Sequence, residues 1–250
     1  HADGQQLDEV FVDGSFRQSR MYQKGVTCTN CHNAHTGKLK LAGNAVCQQC
    51  HQPQGNPAFA SAAGNYDSAA HHFHKAGSSG AQCASCHMPA KKYMEVQPRP
   101  DHSLRIPRPD LSVKLGTPNA CNQCHADKSA QWAADKVASW YGNKRHQQVH
   151  YGEIIAAARA GTPGAQQALA TLAADMQMPA IVRATALDLL RTDATTGIDI
   201  RITATRDQDP EIRAAAADSL ESAEASQRIS ALTPLLRDRY RAVRTAAARS

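Results

Sequence analysis

The sequence predicts a mainly α protein in two parts: a loop-rich region over residues 1–150, then an α-helical solenoid over residues 151–250. Three observations predict it. Every Lys, His and Cys lies at or before His150, while residues 151–250 are rich in Ala, Leu and Arg with helical periodicity. An arginine-anchored pattern recurs in the second part. The first part is short on periodicity and rich in Gly, Pro, Asn and Ser, which is loop composition. A chain of 250 residues holds one large domain or two ordinary ones.

Residues 1–27 are a mixed segment whose apolar anchors are Phe11, Phe16, Met21 and Tyr22. The proline-rich stretch Gln97–Pro109 cannot form a regular helix, so an ordered loop is expected there. In Asp127–Tyr141 the residues Trp132, Val137, Trp140 and Tyr141 fall near helical spacing, and Gly142 follows, so this segment reads as a helix. The repeats are Pro179–Leu187, Pro210–Ala217 and Arg241–Ala248, anchored on Arg183, Arg213 and Arg244. Asp207 and Asp238 each stand six residues before the arginine of their unit. Each unit reads as two short helices that must stack on a neighbour to bury their apolar faces. With the third unit at the end of the chain, a covering partner or a further segment is expected.

The eight cysteines all fall into Cys-x-x-Cys pairs: Cys28 and Cys31, Cys47 and Cys50, Cys83 and Cys86, Cys121 and Cys124. Each pair is followed directly by a histidine: His32, His51, His87 and His125. Cys-x-x-Cys-His is the attachment sequence of c-type haem. The two thiols add across the haem vinyl groups, and the next residue reaches the iron as proximal ligand. Zinc ribbons also use paired cysteines but do not require His after every pair. Thioredoxin-like redox pairs occur once, near a βαβ pattern that is absent here. Disulfides would leave the four histidines as coincidence. Four motifs out of four, with no cysteine left over, predict four covalently bound haem c groups.

Four electron-carrying irons need four further ligands. Eight histidines remain: His1, His35, His71, His72, His74, His102, His146 and His150. That supply favours bis-His coordination over Met ligation by Met21, Met88 or Met94, which would raise the potential. His35 follows the first motif too closely to fold back on its own iron and is expected on a neighbouring haem. The cluster His71–His74 is expected to give two ligands, His72 and His74, with His71 in reserve. His102, in the proline-rich stretch, is the fourth expected distal ligand. His1, His146 and His150 are weaker candidates.

No run of about 18 apolar residues exists, so no segment spans a bilayer as a helix. Residues 1–150 hold 16 Lys+Arg against 10 Asp+Glu, while residues 151–250 hold 12 of each. Four haems would bring about eight propionates and about four positive charges on ferric iron, so the basic excess does not call for nucleic acid. No interleaved basic and aromatic pattern supports nucleic-acid binding either.

The repeats, over about 165–249, resemble HEAT-like repeats of the kind seen in phycobilisome-lyase proteins. The first part resembles a bacterial family of multihaem c-type cytochromes with C-terminal helical repeats, distantly related to the cytochrome c554 group. The residues that carry this are Ala2–Gln5, Gly14–Met21, Gly25–Cys28, His71–His74, Cys86–Pro89, Asp101–Asp110 and Gly116–Cys121. The resemblance implies a loop-rich tetrahaem c-type cytochrome domain followed by a HEAT-like solenoid. In larger members the segment like Ala2–Gln5 lies mid-chain, after further haem motifs, which implies a short variant or one half of a cleaved chain.

Covalent haem attachment in bacterial c-type cytochromes takes place outside the cytoplasm, so a periplasmic or extracellular place is expected. The expected function is electron transfer through four closely spaced haems. The expected partners are other redox proteins, copies of the same chain in an oligomer or haem filament, or the other half of a cleaved chain. A redox enzyme of the nitrite or hydroxylamine type would need an open iron, and no motif His is replaced to supply one. A binding module with structural haems is the third reading.

Overall fold

A computed structural model describes the chain except residues 9–10, 94 and 143–147. It is mainly α, with one small sheet among the described residues. The chain divides into two compact units, His1 with Asp3–Gln147 and Gln148–Ser250 with Ala2.

In the first unit the four Cys-x-x-Cys-His motifs lie on or run on from single helical turns. These are α3 (Cys28–Cys31), α4 (Ala45–Gln48), α6 (Cys83–His87) and α8 (Cys121–Cys124), following α1 (Asp13–Arg17) and α2 (Arg20–Gln23). One turn places residues i and i+3 on the same side, so the two thiols of a motif face one way. The histidine N–H closes that turn onto the first cysteine's carbonyl: His32 to Cys28 at 2.8 Å, His51 to Cys47 at 3.0 Å and His125 to Cys121 at 2.9 Å. Asn30 holds the first turn at its start, accepting the Thr27 N–H at 2.7 Å.

Side chains alone make a thin core here. The buried hydrophobic residues of this unit are Ala81, Tyr93, Leu111 and Ala133 among the described residues. The largest side-chain layer joins α7 (Pro109–Leu115) to α9 (Ala130–Tyr141), where Leu111 and Ala133 are fully buried. Ser129 caps α9 by accepting the Trp132 N–H at 3.1 Å, so the helix begins three residues later than the sequence pattern suggests.

The proline-rich stretch is more ordered than a loop. Gln97–Pro100 forms β2, which pairs antiparallel with β1 (Ala90–Tyr93) in the register Ala90 opposite Pro100. A two-stranded ladder is all edge, where a proline's missing N–H costs little. Pro109 opens α7, a position that does not need the donor.

The second unit is a row of paired helices: α10 (Tyr151–Arg159), α11 (Ala165–Ala174), α12 (Ala180–Leu189), α13 (Ile198–Ala204), α14 (Pro210–Ser219), α15 (Ala225–Leu232) and α16 (Arg241–Arg249). The helices α12, α14 and α16 stack in succession. Leu169, Leu187, Leu190 and Ile212 fill one buried cluster; Ala217, Leu220, Leu235 and Val243 fill the next. The anchoring arginines join units. Arg183 pairs with Asp207 at 2.8 Å, and Arg213 pairs with Asp238 at 2.7 Å. Arg213 also donates to the Asp207 carbonyl at 2.8 Å, and Arg244 to the Asp238 carbonyl at 2.6 Å. Each aspartate therefore serves two arginines, its carboxylate the one before and its carbonyl the one after.

Candidate haem centres

Three pairs of histidine rings lie near one another in the first unit. His32 and His102 have ring centroids 6.4 Å apart, His71 and His87 6.2 Å apart, and His74 and His125 6.3 Å apart. Ring faces in contact lie about 3.5–4 Å apart, so these rings leave a gap. Two imidazole–metal bonds of about 2 Å, with about 1 Å from each nitrogen to its ring centre, span about 6 Å. Each pair joins a motif histidine to a histidine outside the motifs, so the donor set fits an iron with one imidazole on either side.

The hydrogen bonds fix which nitrogen of each ring carries the proton. The Nδ1–H of His32 donates to the Gly37 carbonyl at 2.7 Å, that of His87 to Arg105 at 2.8 Å and that of His102 to Pro100 at 3.0 Å. His51 does the same to Ala62 at 3.1 Å, and His74 to the His72 carbonyl. His71 Nδ1 lies 3.4 Å from the Tyr141 hydroxyl, which itself donates to the His71 carbonyl. A neutral imidazole protonated on Nδ1 carries its lone pair on Nε2, the state a metal needs. Burial pushes the His87 pKa below the usual histidine value, which keeps that ring neutral.

The local backbone explains the choice within His71–His74. Ala69–His72 is a helical turn, α5, on which His71 and His72 point in divergent directions. Phe73 then takes a left-handed conformation with φ 55° and turns the chain, which sends His74 to His125. His71, the reserve in the sequence reading, faces His87 in place of the expected His72. The Nδ1 of His72 accepts the His74 N–H at 3.1 Å, so the proton of His72 sits on Nε2. The only sequence signal for this was helical phase over four residues.

His35 lies exposed on the loop after the first motif, its backbone N–H held by the Asn33 side chain at 3.0 Å. Neither His35 nor His51 has a facing histidine ring among the described residues. The His51 ring meets Tyr66 edge-on at 5.8 Å, and Tyr66 in turn meets His71 at 5.2 Å. The His1 ammonium donates to the Gln5 carbonyl at 2.9 Å. His150 accepts the Gly152 N–H on Nδ1 at the start of α10. His146 and Met94 lie outside the described residues.

The cysteines place the motifs beside one another in chain order. The Cys47 and Cys83 thiols are hydrogen-bonded, which raises the Cys47 pKa and lowers that of Cys83. Cys31 is within electrostatic reach of Cys50, and Cys86 of Cys121 and Cys124; burial is the main cause that raises Cys31, Cys86 and Cys121. Asn44 ties the second motif to the third: its Oδ1 accepts the Cys83 N–H and its Nδ2 donates to the Ala81 carbonyl and to Asp67, each at 2.9 Å. Sequence reasoning missed Asn44, because nothing in its neighbourhood distinguishes it from a turn residue. Among the described residues, no three His, Cys, Asp or Glu side chains converge as a metal-holding group. No helix of the described residues is long and apolar enough to cross a membrane.

The aromatic residues of α9 lie over the last two centres. Trp132 packs on His125 at 5.0 Å, and Trp140 stacks on Phe73 at 4.7 Å with planes 4° apart. The family model described as cytochrome c552 matches residues 64–195, just over half of the chain. The doubled CXXCH motif matches residues 21–56, which hold the first two motifs. No curated protein and no solved structure gives a significant match.

Proposed function

The chain belongs to the cytochrome c552 family and is a multihaem c-type cytochrome; from that premise we propose that it carries electrons through four bis-His haem c groups held in its first 150 residues. The observation that carries this reading is the set of three histidine pairs spaced 6.2–6.4 Å apart. Haem iron, when bound, takes up and releases one electron at a time. The chain's own part is to hold and tune it. Cys28 and Cys31, Cys47 and Cys50, Cys83 and Cys86, and Cys121 and Cys124 attach the four groups; His32, His51, His87 and His125 are proximal ligands. His102, His71 and His74 are distal ligands opposite His32, His87 and His125. His35, in the loop between the two halves of the doubled motif, completes the set opposite His51.

Two imidazoles on an iron would leave no open position, so the three paired centres would pass electrons and not bind substrate. The Nδ1–H bonds to backbone carbonyls make the imidazoles better donors and fix their orientation. The nearness of successive motifs in chain order supports transfer between neighbouring groups. The HEAT-like repeats of residues 151–250 serve as a docking module. The chain works on the exported side, in the periplasm or outside the cell, with other redox proteins. Copies stacked end to end would extend the path as a filament.

The test is the ferric spectrum of the holoprotein. Four covalent haems per chain by pyridine haemochrome, all low-spin by electron paramagnetic resonance, support the proposal. A second reading rests on His51, which has no facing imidazole among the described residues. A high-spin fraction of one haem in four would place an open iron there and favour a redox enzyme acting on a small nitrogen oxide.

A further inference from the structure

We propose that the loop bearing the first haem motif is a docking face for an acidic one-electron carrier protein. This rests on the electron-transfer reading above. Charge is segregated here, and one loop gathers it at the first centre. Residues 14–66 contain five Lys or Arg and no Asp or Glu. Of these, Arg20, Lys24, Lys38 and Lys40 are exposed, and no carboxylate pairs with them among the described residues.

The backbone brings that charge to the first centre. Asn33 N–H donates to the Lys38 carbonyl at 2.8 Å, and Lys40 N–H donates to the Cys31 carbonyl at 2.9 Å. His32 and Leu39 form an antiparallel bridge. The loop thus folds back along its own motif, and the His32 ring donates to the Gly37 carbonyl at its tip. Leu39 and Leu41 are exposed between and beside the lysines, at 51% and 43%. A small apolar centre ringed by like charge is the anatomy of a transient redox interface. The partner it fits presents carboxylates around its own redox edge. One electron leaves the reduced carrier and enters the ferric centre at His32, or travels in reverse; no bond forms and no proton is required.

The experiment uses the full-length holoprotein and, as probe, a reduced plant-type ferredoxin, an acidic [2Fe–2S] carrier. Stopped-flow gives the second-order rate of haem reduction against ionic strength. The expected rate falls about tenfold or more between low and physiological salt. The variant Lys24→Glu/Lys38→Glu/Lys40→Glu lowers the low-salt rate by a similar factor. Reduction by 5-deazariboflavin semiquinone, an uncharged donor, stays unchanged in the variant. A rate independent of salt and of the substitutions overturns the proposal. So does a variant that slows both donors equally or shifts the midpoint potential, because the lysines then neutralise haem propionates. A change in sedimentation from oligomer to monomer in the variant also overturns it, because the face then binds a second copy. Haem count and spin state, measured on the same samples, report separately on the electron-transfer reading.

Discussion

His71 and His87 face each other with ring centroids 6.2 Å apart and planes 4° from parallel. His72, one residue along the same helical turn, spends its Nδ1 lone pair on the His74 N–H. The two neighbours therefore differ in what they can offer a metal. His71→Ala converts one haem in four to the high-spin ferric form, read by electron paramagnetic resonance and magnetic circular dichroism. His72→Ala leaves the low-spin signals intact. The opposite pattern in the two variants would reverse the assignment.

Tyr141 is the one hydroxyl among these ring-nitrogen contacts; His32, His51, His74, His87 and His102 all meet carbonyls. A backbone or hydroxyl acceptor on Nδ1–H gives the imidazole more anionic character and lowers the iron's potential. Tyr141→Phe removes the acceptor from His71 and raises the midpoint potential of that haem by tens of millivolts in a spectroelectrochemical titration, while the spin state stays low. Four potentials unchanged from the parent protein would show that the 3.4 Å contact has no such effect.

How much was legible in the sequence follows from how local each signal is. The local shape of the Cys-x-x-Cys-His motifs was legible from spacing, because a single turn brings Cys, Cys and His together. Helix α9 and the repeat helices were legible from periodicity, and Arg183, Arg213 and Arg244 from their recurrence. The direction of the arginine pairing was not, because Asp207 precedes Arg213 in its own unit yet gives its carboxylate to Arg183. The histidine pairs depend on contacts such as His32 with His102, seventy residues apart, and on one left-handed residue, Phe73. Neither leaves a pattern in sequence. The strand at Gln97–Pro100 was missed because proline is a poor strand former everywhere except at an edge.

Asn44 joins two motifs through three hydrogen bonds, to Cys83, Ala81 and Asp67. Removing a partner from partly buried polar groups costs about 1–3 kcal/mol. Asn44→Ala therefore lowers the midpoint of thermal unfolding of the holoprotein with four haems still attached. Because Asn44 ties the second motif to the third, the second and third haems also lose coupling, visible as a weaker bisignate Soret circular dichroism signal. A lower midpoint with an unchanged Soret couplet would make Asn44 a structural residue alone.

In the second unit, the Arg213 guanidinium hydrogen-bonds Asp238 and holds its carboxyl below the usual carboxylate range. A folded pKa below the unfolded value stabilises at pH above the unfolded pKa of about 3.9 and is lost as pH falls through the folded value. Arg213→Ala costs about 2 kcal/mol at pH 7, since it strips charge-assisted hydrogen bonds from a nearly buried pair. The gap between parent and variant narrows below about pH 4, as the aspartate protonates in both. Arg213→Lys does not restore the parent value, because an ammonium cannot make the fork to both Asp238 oxygens at 2.7 and 3.1 Å. Urea unfolding across pH checks each point, and a gap constant from pH 7 to pH 3 would mean that the ion pair is not its source.

The two units differ in what fills them, and haem removal separates them. The first has Ala81, Tyr93, Leu111 and Ala133 as its buried hydrophobic residues among those described, too little apolar area to offset the entropy of ordering so many loop residues. The second buries Leu169, Leu187, Leu190, Ile212, Leu220 and Val243 with its own helices. Chain made without haem attachment keeps the far-ultraviolet helical signal of residues 148–250 and loses the order of the first unit, as small metal domains lose theirs without metal. Limited proteolysis then leaves a resistant C-terminal fragment starting near Gln148, and amide exchange is fast over residues 28–128. The holoprotein protects both regions. Slow exchange around the four motifs in haem-free chain would show that side chains alone hold the first unit together.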